Sequence, residues 1–323
     1  MTPRDGFKAL AALALGAVAM HLLWSSVLAA IVDHFYRHRA PDISRVDGSY
    51  RFELFGRFMA HERSRTQRPI VAFVGSSFTY GYPWQESVIF SRRATGLFPE
   101  AMVLNLSMLS ADTSSLNDWV FCSAKASGIA FDVAVVEIPV VNEASQLAQY
   151  RRRGLPPPPM TPLARCGLEP RTANYAGYFA RHPYGVGWLR PLWDPNAYEQ
   201  PDRTLPSVVV PPHYFADSAD FAGIEREYAA RVRAMLSGAR AQSRSVIAYP
   251  SPILLSEVAK AGQDVAALRR QLEVALEACR AVPDVVCVEP AFLYDRREDF
   301  LNLTHLNQRG HEEMAAWLGK MRQ

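Results

Sequence analysis

A doubly wound α/β domain built on a five-stranded, mainly parallel sheet is the fold this sequence predicts, and three observations predict it. Five short apolar runs recur after residue 69, each is apolar on both of its alternating faces, and stretches with helical periodicity lie between them. Strands buried on both faces belong to parallel sheets covered by helices, and alternation of strand with helix is the pattern that builds them. The 323 residues suffice for one such domain with an insertion, or for two domains.

Composition narrows the function classes. Lys and Arg total 35 against 32 Asp and Glu, a net charge of +3 that is too even for a chain devoted to nucleic acid unless the charge is localised. With 49% hydrophobic residues the chain can bury a sizeable core, which excludes a mainly disordered protein. Four cysteines without a CxxC pair exclude a zinc ribbon and a disulfide-dense scaffold. No His/Cys/Glu cluster has metal-ligand spacing and no Gly-rich phosphate loop carries a Lys, so no cofactor and no metal are expected.

In chain order, residues 1–8 form a short tail, and 9–32 are 24 residues without Asp, Glu, Lys or Arg. As a helix that run spans about 36 Å, enough for a bilayer core of about 30 Å. A cleaved signal peptide is the rival, with Arg4 and Lys8 as its basic region and Val27-Leu28-Ala29 as its cleavage site. The apolar run continues to Val32, which is long for a signal peptide, so a transmembrane anchor is favoured. Basic residues on both sides (Arg4 and Lys8, then Arg37, Arg39 and Arg45) leave its orientation open. With the tail inside, the remainder is an inner-membrane-anchored domain on the periplasmic or extracytoplasmic side. Residues 33–68 read as a juxtamembrane linker.

The strands are expected at 70–74, 102–104, 133–136, 246–249 and 285–288. Leu116, Trp119, Val120, Ser123 and Ala124 mark one buried helical face. Further helices are expected over 224–240 and 265–279, and Met314, Trp317, Leu318 and Met321 mark the last. The interval 151–215 breaks the rhythm, since it holds 13 of the 23 prolines and many aromatics. Proline this dense cannot be central sheet, so an excursion over the sheet is expected. Its aromatics make either a small core of their own or a substrate-facing wall suited to sugar rings.

The first strand runs straight into Gly75-Ser76-Ser77-Phe78-Thr79-Tyr80-Gly81, which presents a serine at the ligand-binding edge of the sheet. The next helix is expected to start near Gln85, with its positive end close to the site. Near the other terminus, Asn302-Leu303-Thr304-His305 precedes the last helix, with Asn307 as its expected N-cap and Gly310 permitting close approach. A loop histidine there can reach another strand's loop, so Ser77 and His305 form a nucleophile and a base. His213 with Asp217, and His311 with Glu312, are expected to be solvated, and Glu143 to be a surface residue near the site mouth. Cys279 and Cys287 bracket a helix end and a strand start, where a disulfide suits an oxidising compartment; Cys122 with Cys166 is a second pairing, and four free buried thiols the alternative.

Together these pieces resemble the SGNH, or GDSL, hydrolase family over roughly 69–149 and 216–323. The first block, Gly-Asp-Ser-x-x-x-Gly, matches 75–81 with Ser76 in place of Asp, and the second, Asn-x-Gly, matches Asn105-Leu106-Ser107 with Ser107 in place of Gly. The third supplies Asn142 without its preceding glycine, and the last, Asp-x-x-His, matches 302–305 with Asn302 in place of Asp. Gly-Ser-Ser and Asn-Leu-Ser look like the blocks of a membrane-anchored branch that O-acetylates alginate and related polymers. The resemblance implies a three-layer α/β/α fold with Ser77, His305 and Asn302 as catalytic residues. It also implies an oxyanion hole made by the backbone N–H groups of Ser77 and Ser107 and the amide of Asn142. The chemistry implied is hydrolysis of an O-acetyl ester, or its transfer to a sugar hydroxyl of an envelope or extracellular glycan, with a membrane acyltransferase as a partner. A catalytically degenerate glycan-binding or scaffold subunit of a polysaccharide modification or export complex is the alternative.

Asn302 decides between them. If its oxygen accepts from Nδ1–H, His305 is oriented as a base; if its NH₂ donates, the proton sits on Nε2 and His305 cannot be one. Asp299 or Asp295 would then have to supply the missing acid.

Overall fold

The computed structural model describes residues 67–321 apart from 83, 85–87, 109, 127 and 167–214, together with 12–16, 18–20 and 23. That N-terminal group is helical and belongs to a unit of its own, Met1–Asp42, in which Leu13, Leu15, Val18, Met20 and Leu23 are exposed. Among the described residues no helix is long and apolar enough to cross a membrane. Most of the expected anchor over 9–32, most of the linker over 33–68 and the greater part of the excursion over 151–215, including His213, lie outside the described residues.

In the second unit, Ile43–Gln323, the five apolar runs are five strands: β1 (Ile70–Val74), β2 (Met102–Asn105), β3 (Phe131–Ile138), β4 (Ser243–Pro250) and β5 (Val285–Cys287). They pair in the order β2-β1-β3-β4-β5, every pair parallel. The register brings Phe73 opposite Asn105, Val74 opposite Val136 and Ile138 opposite Pro250, so β1 to β4 end along one edge.

Side-chain alternation gives the sheet two buried faces. Val71, Phe73, Val103, Val135 and Tyr249 pack with Phe90, Met314 and Leu318 from the short helix Phe90–Arg93 and the last helix, Gln308–Met321. Ala72, Val74, Ala134, Val136, Val246 and Ala248, the alternate positions, are buried on the other face. Helices Glu225–Gln242 and Val265–Arg280 pack against β4, and the first of them also against β3. Removing one large side chain from such a core, as in Phe90→Ala, costs about 3–5 kcal/mol.

The stripe Leu116, Val120, Ser123 and Ala124 is buried, although its helix contains a π-helical turn over Asn117–Phe121. The described start of the proline-rich interval is tied to two helices. Pro158 O accepts from Arg231 Nη1 at 2.8 Å, Thr161 N donates to Asp118 Oδ1 at 3.0 Å, and Cys166 is bonded to Cys122. Cys279 is bonded to Cys287.

Two charged or polar residues expected at the surface are buried. Glu143 pairs with Arg231 at 2.5 Å and accepts from Thr113 N and Oγ1, both at 2.7 Å, because a carboxylate on the inner face of its helix needs a cation and donors. His311 stacks on Phe90 at 5.7 Å and accepts from Phe90 N, while Glu312 beside it is exposed and pairs with Arg93. Asp217 is exposed and caps the helix Ser218–Ala222.

Candidate active site

β1 delivers the chain to Gly75, where a Cβ would collide with the Glu137 carboxylate and with Thr79 Oγ1. Only glycine fits there. A helix, α1 (Ser77–Tyr80), follows and begins at Ser77 itself, while the helix start expected near Gln85 lies outside the described residues. Gly81 closes it in the left-handed region at φ 81°, donating to Ser77 O and Phe78 O. The hydroxyl of Ser77 is thus carried on the first residue of a helical turn just past the sheet edge.

The histidine comes from a separate small fold. Phe300 and Leu306 form an antiparallel bridge, and Leu301 N donates to His305 O at 2.8 Å, closing a loop around Asn302. The Asn302 side-chain oxygen accepts from Thr304 N at 3.0 Å and His305 N at 2.9 Å. Both groups are obligatory donors, so the atom they meet must be oxygen, and that oxygen lies 2.9 Å from His305 Nδ1. Nδ1 therefore carries the proton and Nε2 is the acceptor. Nε2 lies 2.9 Å from Ser77 Oγ, across 228 residues of sequence.

Two aromatics join the loops. Trp84, just after Gly81, donates from Nε1 to Leu306 O at 2.7 Å, and Tyr82 meets the His305 ring edge-on at 5.5 Å. The packing around the half-buried imidazole pulls its pKa down to about 4, so the ring is neutral at pH 7.

The alternative acids lie elsewhere. Asp299 is buried against Arg296 and Arg309, at 2.9 and 3.2 Å but without the alignment of hydrogen bonds, and Asp295 is exposed. His305 Nδ1 faces the amide of Asn302.

Of the expected oxyanion donors, Ser77 N opens α1, where first-turn N–H groups have no partner within the helix. Ser107 N donates to Asn105 Oδ1 at 3.1 Å, and Asn105 is itself fixed by donating to Thr79 O and Ser91 Oγ. One amide hydrogen of Asn142 goes to Ala111 O at 3.0 Å. The three residues thus follow the ends of the adjacent strands β1, β2 and β3. An oxyanion would share the Ser107 N–H with Asn105. Among the described residues, no group of three or more His, Cys, Asp or Glu side chains could hold a metal ion.

Sequence reading missed Trp84, Tyr82 and Glu137. Trp84 and Tyr82 lie within a few residues of Ser77, but contacts reaching beyond position 300 have no local signature.

No family model matches the chain, and no curated protein matches it. Among solved structures it is similar to a member of the lipolytic G-D-S-L family from Veillonella parvula, at 11% identity and a TM-score of 0.44, covering 76% of this chain and 94% of that one. It is similar to a lipase/acylhydrolase from Enterococcus faecalis at 15% identity and a TM-score of 0.42, with coverage of 78% and 94%. An acetylxylan esterase from Geobacillus stearothermophilus gives 10% identity and a TM-score of 0.40, with coverage of 79% and 93%.

Proposed function

We propose that this protein is a serine acyl-ester enzyme that removes O-acetyl groups from an envelope or extracellular glycan, or transfers them to a sugar hydroxyl. The observation that carries the reading is the Ser77 Oγ to His305 Nε2 contact of 2.9 Å, with the ring tautomer set by Asn302. In the reaction, Ser77 Oγ attacks the ester carbonyl carbon while Nε2 takes its proton. The oxyanion is held by Ser77 N–H, Ser107 N–H and the Asn142 amide. Collapse of the intermediate expels the alcohol, which takes the proton from Nε2 and leaves acyl-Ser77. Water or a sugar hydroxyl then gives its proton to Nε2 and attacks the acyl carbon, and collapse of this second intermediate expels Ser77 Oγ, which takes the proton back from Nε2.

Asn302 makes this a base of modest strength. It orients the ring but adds no negative charge, so the imidazolium formed in each step is stabilised less than beside an aspartate. The same feature supports a second reading, a binding-only subunit of a polysaccharide modification or export complex. Both readings place the domain outside the cytoplasm, in keeping with the paired Cys122–Cys166 and Cys279–Cys287. The apolar N-terminal run supports attachment to the membrane, where an acyltransferase partner would supply acyl groups.

A fluorophosphonate probe applied to the full-length protein in membranes separates the two readings. The enzyme reading expects one adduct on Ser77, absent in Ser77→Ala; an unlabelled Ser77 supports the binding subunit. Aryl acetate supplied with and without an oligosaccharide then reads the acceptor, since acetylated sugar marks transfer and acetate alone marks hydrolysis.

A further inference from the structure

We propose that Glu137 is the positioning residue of the nucleophile, holding the two residues that bracket Ser77 through a single carboxylate reaching up from the central strand. The proposal deepens the acyl-ester reading and rests on it. Glu137 lies near the end of β3 and is fully buried. Its Oε2 accepts from Ser76 N at 2.9 Å, from Thr79 N at 3.0 Å and from Thr79 Oγ1, and its Oε1 accepts from Ser76 Oγ. Residue 76 precedes the nucleophile and residue 79 sits on the next step of the same turn. One side chain thereby fixes both ends of the segment that aims Ser77 Oγ at His305.

The hydrogen count is complete. Two backbone N–H groups and two hydroxyls supply four donors to a group that, when ionised, only accepts. With the carboxylate ionised, Thr79 has spent its proton on it, and the Tyr249 hydroxyl, 2.7 Å from Thr79 Oγ1, is then the donor to Thr79. The chain runs in one direction, from Tyr249 through Thr79 to Glu137. Burial pushes the Glu137 carboxyl above its usual range, and the four donated bonds oppose that shift. A buried acid so placed is costly unless its partners are all present, and here its partners are the nucleophile turn. Gly75 belongs to the same device, since the carboxylate occupies the space a Cβ would need.

The count also says what a substitution keeps. In Glu137→Gln, the amide oxygen can take the Oε2 site with its three donors, and the NH₂ can donate to Ser76 Oγ, whose hydroxyl turns to accept. Positioning survives; in Glu137→Ala it is lost. Misplacing a nucleophile by about 1 Å costs on the order of 10² in rate. Glu137→Ala is therefore expected to lower kcat for aryl acetate about 10²-fold with KM unchanged, while Glu137→Gln stays within about tenfold of wild type. Should Glu137→Ala not fold, the pair Ser76→Ala and Thr79→Val removes both hydroxyl donors, keeps both backbone donors, and is expected to lower kcat about tenfold.

A second readout does not depend on turnover. The ¹⁵N shift of His305 Nε2 reports the hydrogen bond from Ser77, so Glu137→Ala should move it as Ser77→Ala does, and Glu137→Gln should not. A folded Glu137→Ala protein with wild-type kcat and an unmoved Nε2 shift overturns the proposal, as does Glu137→Gln matching Glu137→Ala in both readouts. A wild type inert to esters and phosphonates defeats the acyl-ester reading instead, and the Nε2 shift still judges the positioning.

Discussion

Replacing Asn302 with aspartate puts a carboxylate oxygen where the amide oxygen now sits, 2.9 Å from His305 Nδ1. The loop should keep its shape, because Thr304 N, His305 N and Nδ1–H all donate to that one oxygen and suit a carboxylate equally well. What changes is charge. Unit charges about 4 Å apart attract by about 4 kcal/mol at an effective dielectric of about 20. Part of this is consumed in desolvating the new carboxylate, and a neighbouring acid typically shifts such a group by about 1–3 pH units. The His305 pKa, about 4 in the native protein, should therefore rise to about 5–7. The tautomer is already correct, so the rate gain at pH 7 is smaller than the ~10⁴ tied to this position in a serine protease; roughly 10- to 100-fold on aryl acetate is expected from the stronger base. Long-range ¹H–¹⁵N spectra across a pH titration read both tautomer and pKa. A wild-type ring protonated on Nε2 at pH 7, or a pKa that stays near 4 in Asn302→Asp, refutes the reasoning.

Other perturbations probe the frame around the dyad. Gly75→Ala forces a Cβ against Glu137 and Thr79; a stability loss of about 1–3 kcal/mol in urea unfolding, with the phosphonate reaction of Ser77 slowed, is expected. Glu143→Ala leaves Arg231 buried without its carboxylate and should cost about 3–5 kcal/mol by the same measurement. Opening Cys122–Cys166 as the double serine variant frees a sequence separation of 44, against 8 for Cys279–Cys287. Chain entropy puts the first near 4 kcal/mol and the second nearer 2–3, so the first should lower the thermal midpoint more. Stability should also fall with acid. The unfolded histidine protonates near pH 6.5 while the folded ring stays neutral down to about 4, so His305 weakens the fold progressively across that interval, and His305→Gln should flatten the loss.

The sheet was legible because burial on both faces leaves short apolar runs in β1 to β4, and the fifth run is also a strand, although Val286 at that edge is exposed. The serine and histidine were legible because each stands in a short motif next to an element boundary. The geometry between them was not. Helix α1 has four residues, too few for periodicity to reveal. Glu143 reads as a surface residue because acids usually are, and its partner Arg231 is 88 residues away. Glu137 is one of two acids in an otherwise apolar strand, and only its three-dimensional place beneath residues 76 and 79 gives it meaning. The orientation of the Asn302 amide, on which the proposed reaction turns, is set by two backbone N–H groups that no residue pattern records.

The most direct measurement is the rate at which a fluorophosphonate modifies Ser77 as a function of pH in the full-length protein. The account predicts a single adduct on Ser77, formed at a rate that follows one ionisation near pH 4 and stays level from about pH 6 to 8. An unmodified Ser77, or a rate unaffected by His305→Gln, would contradict it.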